Sequence, residues 1–222
     1  MNAITKNAIT KQIARLWLLL PTILLISSFT LVNGGSKKLK VGKSMPAENT
    51  TLISTEGDTT SLSGQMGENG LLVIFSCNTC PFVVGSDNFE GWERQYNEIN
   101  QLAVQNNIKF VLINSNEAKR SGVDSMEEMK KRASEKGYSM AYLMDEGNLV
   151  ADAFGAQTTP HVYLFDKSKK LIYTGSIDNT WDSNRTEDIS YLANAIELHG
   201  QGQKVKEKTT QPRGCSIKRT TK

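Results

Sequence analysis

Residues 71–84 read LLVIFSCNTCPFVV, an apolar run that passes straight into a CxxC pair and then a proline. Leu71 to Phe75 has the length and composition of a buried strand, and Pro81 suits the first position of a helix, where a missing N–H costs nothing. Cys80 then falls at the helix N-cap, where unpaired backbone N–H groups and the positive end of the helix dipole favour thiolate over thiol. Cys77 lies three residues earlier, within reach of a disulfide. The combination points to a redox-active dithiol with Cys80 as its nucleophile. Half of a zinc site is the main competing reading, but such a site needs four ligands, usually as a second pair. Only Cys215, His161 and His199 remain, scattered through the last third of the chain, so no resident metal or cofactor is expected.

Residues 1–34 carry Lys6, Lys11 and Arg15, no acidic residue, and an apolar run from Leu16 to Val32 that closes on Asn33 and Gly34. That is the layout of an export signal. The run is broken by Pro21 and several hydroxyl residues and is shorter than the roughly 20 residues of a comfortable membrane span. Cleavage, giving a periplasmic or secreted protein, is therefore expected over a retained anchor, and membrane association only if the segment stays. The three basic residues of the segment account for the formal net charge of +3, leaving the remainder balanced, which gives no basis for nucleic-acid binding. About 185 residues remain, enough for one domain at 35–200 followed by a basic tail at 201–222 expected to be flexible. Three cysteines in an exported chain leave one over, which suits an exchanging catalyst better than a stapled scaffold.

Thr50 to Ile53 and Thr59 to Leu62 read as a hairpin around Glu56, Gly57 and Asp58. After the dithiol, Phe89, Trp92, Tyr96, Ile99, Leu102 and Ala103 recur at helical spacing, and Ile108 to Ile113 is a buried strand, completing a βαβ unit. Asp124 or Ser125 can cap the next helix, which Gly137 ends. Ala141 to Met144 is a candidate strand, and Leu149 to Phe154 a brief helix stopped by Gly155. Two strands, His161 to Phe165 and Leu171 to Thr174, follow the Thr159-Pro160 step. A last helix carries Ile189, Leu192, Ala193 and Ile196. The fold class is α/β, with a central mixed β-sheet flanked by helices.

Several segments carry a resemblance: Val41, Gly42 and Pro46; Cys77-Asn78-Thr79-Cys80-Pro81; Phe154-Gly155-Ala156; Thr159-Pro160-His161; Tyr173, Gly175, Ile177 and Asp178; and Gly214-Cys215-Ser216-Ile217-Lys218. In this order they resemble the redoxin branch of the thioredoxin-like superfamily, the alkyl hydroperoxide reductase and thiol-specific antioxidant group. Within it the chain is most similar to peroxiredoxin-like thioredoxin proteins with a CNxCP motif. The resemblance implies a thioredoxin-like fold with an added N-terminal β-hairpin. Three positions depart from the pattern: Ser76 and Thr79, where tryptophan and histidine are common, and Arg219, where an aromatic residue is expected.

The resemblance further implies that Thr159-Pro160 is a cis-proline step facing the dithiol, beside which a peptide or glutathione strand can pair. His161, just after it, is a candidate for tuning the thiolate or shuttling a proton. Cys215 is either idle or a second resolving thiol on a tether. These readings combine into a thiol-disulfide oxidoreductase in which Cys80 attacks and Cys77 resolves. Its partners would be protein or small-molecule disulfides and a thiol electron donor. The alternative enzyme is a peroxiredoxin-like peroxidase acting on peroxides. The position three residues before Cys80, where such enzymes carry threonine or serine, is Cys77, which favours dithiol exchange. A non-catalytic metal-binding or interaction module using Cys77, Cys80 and His161 or Cys215 is the reading from outside enzymology.

Overall fold

The computed structural model describes residues 37–220. The expected export segment lies outside the described residues, and among these no helix is long and apolar enough to cross a membrane.

The frame is one sheet. Strand β3 (Gly70–Ser76) is buried along its whole length, and each of its five large apolar side chains contributes roughly 2 kcal/mol by leaving water. It pairs in parallel with β4 (Ile108–Asn114) and antiparallel with β7 (His161–Asp166). Beyond β4 lie β5 (Ala141–Met144), parallel to it, and then the hairpin of β1 (Leu52–Ser54) and β2 (Thr59–Thr60). Strand β8 (Leu171–Gly175) closes the other edge, giving the order β2-β1-β5-β4-β3-β7-β8. The mixed sheet with its extra N-terminal hairpin is the thioredoxin-like architecture expected.

Alternation along the strands divides the core into two layers. Leu72, Ile74, Val162 and Leu164 face α1 (Pro81–Val84), α2 (Tyr96–Gln105), α3 (Met126–Lys136) and α5 (Tyr191–Gly200), and the two CxxC cysteines belong to this layer. Leu71, Val73, Phe75, Tyr163 and Phe165 face the other way, onto α4 (Leu149–Phe154).

Two expectations are corrected. The helical spacing running from Phe89 to Ala103 does not make one continuous helix. α1 is a single turn ended at Gly85, a loop follows, and a 3-10 turn over Trp92–Gln95 leads into α2. Gly85 and Gly91 adopt φ of 99° and 77°, and a Cβ on Gly91 would sit 2.3 Å from the Gly85 nitrogen, so the loop closes only with glycine there. Phe89 packs from that loop on Trp92, with ring centroids 4.9 Å apart.

The second correction concerns the tail. Residues 201–220 are not loose. Thr174 and Thr209 form a bridge at the free edge of β8, the Thr210 N–H donates to the Thr174 carbonyl at 3.0 Å, and Arg213 lies 4.0 Å over the Trp181 ring. A short strand β9 (Cys215–Ser216) then pairs antiparallel with β6 (Thr158–Thr159), and Ile217 is buried in the α4 layer. No periodicity announces this segment because backbone bonds to irregular edges hold it.

Candidate active site

Cys77 and Cys80 sit where β3 runs out, at the carboxyl end of the strand. Cys80 has extended φ/ψ and Pro81 begins α1, the N-cap arrangement expected. Both sulfurs meet Thr159, the residue before the cis Thr159–Pro160 bond. Cys77 Sγ lies 3.1 Å from Thr159 Oγ1, and Cys80 Sγ lies 3.0 Å from the Thr159 carbonyl oxygen. The sequence-predicted residues Cys77, Cys80, Thr159 and Pro160 thus converge, and β9 adds Cys215, whose backbone N–H donates to Cys80 Sγ at 3.3 Å. None of the three cysteines is in a disulfide.

The thiols are not equivalent. The Cys80 pKa is drawn down to about 5, first by a hydrogen bond from the Cys77 thiol, against the opposing effect of burial. The Cys215 thiol, its N–H and the Phe82 N–H add to the depression. Cys77 is pushed well above the ordinary thiol range, because donating to Cys80 and being buried both hold its proton. Cys215 rises to about 11, through burial and then its hydrogen bond to Cys80. One thiolate and two thiols is therefore the stable arrangement at neutral pH. The sequence pointed to the helix start, whose Phe82 N–H contributes here after the Cys77 and Cys215 groups.

A cleft of about 220 Å³ opens on these sulfurs, bordered by Thr79, Asn116, Lys119, Ser216 and Lys218. Cys77 and Cys80 are only 2% and 4% exposed. Beneath the cleft, Asp124 accepts from the Asn78 N–H at 2.9 Å, from Asn114 Nδ2 at 2.7 Å and from Asn116 Nδ2 at 3.0 Å. The Tyr142 hydroxyl donates to Asn78 Oδ1 at 2.9 Å. Asn116 Oδ1 in turn accepts from the Lys218 N–H at 2.9 Å, so one buried network fixes both the CxxC loop and the tail. Ser125, not Asp124, caps α3, accepting from the Glu128 N–H.

Sequence reasoning missed Asp124, Asn114, Asn116, Lys119 and Lys218 as site residues. The available signal was the apolar strand Ile108–Ile113 closing on Asn-Ser-Asn, since open α/β sheets place their ligand-facing polar groups at carboxyl strand ends. Among the departures, Ser76 pairs with the Tyr96 hydroxyl at 3.0 Å, and Arg219 secures the tail through Asp152 at 2.8 Å.

His161 does not join the site. It shares the sheet face of Tyr163, away from the cysteines, and its ring nitrogens approach Tyr163 Oη and Thr174 Oγ1 at 3.4 and 3.5 Å. Burial, reinforced by Lys38, depresses its pKa to about 3, so it is neutral at any working pH. A thiolate-tuning role is thereby corrected to a packing role under β7. Among the described residues, no group of three or more histidine, cysteine or carboxylate side chains is placed to hold a metal ion.

The Redoxin family model matches residues 40–194, most of the chain. The chain belongs to the Redoxin family. No curated protein is significantly similar to this redoxin. Among solved structures, an uncharacterized conserved protein from Geobacillus kaustophilus is 32% identical with a TM-score of 0.71, over 84% of this chain and 96% of that one. A hypothetical protein from Sinorhizobium meliloti 1021 is 26% identical with a TM-score of 0.70, over 84% and 98%. The thioredoxin domain of a thiol-disulfide oxidoreductase from Bacteroides vulgatus shares the fold at 17% identity and a TM-score of 0.51, over 72% and 97%. Family and fold together support a thioredoxin-like redox function.

Proposed function

We propose that this redoxin is a thiol-disulfide oxidoreductase in which the Cys80 thiolate attacks a disulfide and Cys77 resolves the mixed intermediate. The observation that carries the reading is geometric: Cys80 at the N-cap of α1 and Cys77 three residues before it both lie against Thr159, ahead of the cis Pro160, and line one cleft. In the first step Cys80 Sγ bonds to one substrate sulfur, the substrate S–S bond breaks, and the other sulfur leaves as thiolate and takes a proton. Cys77, losing its proton, then attacks Cys80 Sγ, closing a Cys77–Cys80 disulfide and expelling the second substrate thiol. Lys119 and Lys218 at the rim favour negative charge on the departing sulfur. A thiol donor restores the dithiol.

A cleft of about 220 Å³ is smaller than most ligand pockets and suits a disulfide bond reached end-on, or a peroxide. The peroxidase reading keeps Cys80 as the attacking sulfur, yet Thr159 offers its hydroxyl to Cys77 and only its carbonyl to Cys80. That arrangement favours disulfides. The layout of residues 1–34 supports an exported compartment for the reaction.

The test is glutathione disulfide reduction driven by dithiothreitol. Cys80→Ser should abolish turnover, and a variant lacking both Cys77 and Cys215 should accept one glutathione on Cys80 and stall. Wild-type turnover by Cys80→Ser would refute the mechanism, and stopped-flow mixing with hydrogen peroxide decides against disulfide exchange if peroxide reacts far faster.

A further inference from the structure

We propose that β9 is an internal strand seated on the edge where an extended peptide would add to β6, and that it presents Cys215 as a second resolving thiol through which Cys80 passes its disulfide outward. This rests on Cys80 being the attacking thiol and deepens that reading by naming a second thiol that can clear the mixed disulfide on Cys80 and hand the disulfide to an external reductant.

The geometry is that of strand addition. Thr158 pairs with Ser216 and Thr159 with Cys215, antiparallel, directly before the cis Pro160. Main-chain pairing of this kind is how an extended peptide binds an open sheet edge, with side chains set by register. Here the register brings the Cys215 backbone N–H to Cys80 Sγ at 3.3 Å. The flanks are fastened as well: the Ile217 N–H donates to the Gln157 carbonyl at 2.9 Å and the Ala118 N–H to the Lys218 carbonyl at 2.9 Å. Gly214 makes the approach possible, since a Cβ there would lie 2.1 Å from the Thr159 carbonyl oxygen and 2.6 Å from its carbon. A tail that merely lay across the surface would not need a glycine against that carbonyl.

Access supplies the chemical reason. Cys77 and Cys80 are buried beneath the tail, whereas Cys215 is half-buried at the cleft mouth. In a mixed disulfide on Cys80, Cys215 gives up its proton and attacks Cys80 Sγ. The Cys80–Cys215 bond forms, the bond to the substrate sulfur breaks, and that sulfur leaves with the proton. An external thiol then attacks Cys215 Sγ and expels Cys80 as thiolate, and a second equivalent of thiol completes an external disulfide. Cys80 is the best leaving group of the three, because the sulfur of lowest pKa departs fastest.

The test uses the full chain carrying Cys77→Ser, reduced, mixed with one equivalent of glutathione disulfide, quenched in acid and peptide-mapped without reduction. The expected product is a Cys80–Cys215 linked peptide with glutathione released. Adding Cys215→Ser should leave glutathione on Cys80 with a lifetime at least ~100-fold longer, because an intramolecular thiol has been removed. Adding Gly214→Val instead should lengthen that lifetime too, with Cys215 still present, because the strand can no longer seat. Persistence of the glutathione adduct in Cys77→Ser itself, with Cys215 recovered free, would overturn the proposal while leaving the Cys80 assignment intact. Failure of Cys80 to take up glutathione in every variant would overturn both.

Discussion

Replacing Cys77 by alanine tests the electrostatics of the dithiol in isolation from its chemistry. The Cys77 thiol is the largest single influence holding the Cys80 pKa near 5 instead of the ordinary 9.0. A hydrogen bond to a charged group is worth about 1.5–3 kcal/mol, and one pKa unit corresponds to about 1.4 kcal/mol. Cys77→Ala should therefore raise the Cys80 midpoint by about one to two pH units. Cys77→Ser keeps an O–H donor in the same place and should leave the midpoint close to wild type. The assay is the rate of iodoacetamide modification of Cys80 against pH, read by mass spectrometry, since the alkylation rate follows the thiolate fraction. The sign is fixed: the rate climbs through the midpoint as pH rises and is flat above it. At neutral pH the alanine variant still keeps a substantial fraction of Cys80 ionised, so a fall in its turnover beyond that of Cys77→Ser would come from the raised pKa and not from the lost thiol. Coincident midpoints for the alanine and serine variants would show that Cys77 is not the donor, and a wild-type midpoint near the ordinary thiol value would remove the asymmetry altogether.

Two further outcomes follow from buried polar groups. Asp124→Ala orphans three buried donors, from Asn78, Asn114 and Asn116, and should cost on the order of 3 kcal/mol in urea unfolding; a loss under about 1 kcal/mol would mean the network is re-satisfied without it. His161 has a folded pKa of about 3 against 6.5, so it lends stability above pH 6.5 that is lost progressively as the pH falls toward 3. His161→Gln should flatten that acid loss in urea unfolding without moving the Cys80 alkylation midpoint, and a moved midpoint would return His161 to the active site.

What could be read from sequence was what local chemistry dictates. The strand before Cys77, the Pro81 helix start, the hairpin around Gly57 and the strand pair after Pro160 are each written within a few adjacent residues, and each stands where expected. The helix after the dithiol was misjudged because spacing registers which residues are apolar, not whether the backbone between them can stay helical. Phe89 and Trp92 do pack together, but across the turn that Gly85 and Gly91 impose. His161 was misjudged because its place beside Pro160 in sequence says nothing about which face of β7 its side chain takes, and strand alternation carries it to the far layer.

The tail shows the same limit from the other side. A run rich in lysine and threonine has no apolar face, so the sequence argues for a solvated segment. Its order comes from partners far away in the chain: the edge of β8, the Trp181 ring, the Asn116 carboxamide and the Thr158–Thr159 strand. Counting cysteines marked Cys215 as surplus, and spacing could not say whether it is idle. What decides its place is Gly214, a residue whose value lies only in the absence of a side chain against the Thr159 carbonyl. The parts of this site legible in advance are the CxxC pair, the helix start at Pro81 and the Thr159-Pro160 step. The part that covers Cys80, the tail strand paired with β6, is built from contacts that exist only once the sheet has formed.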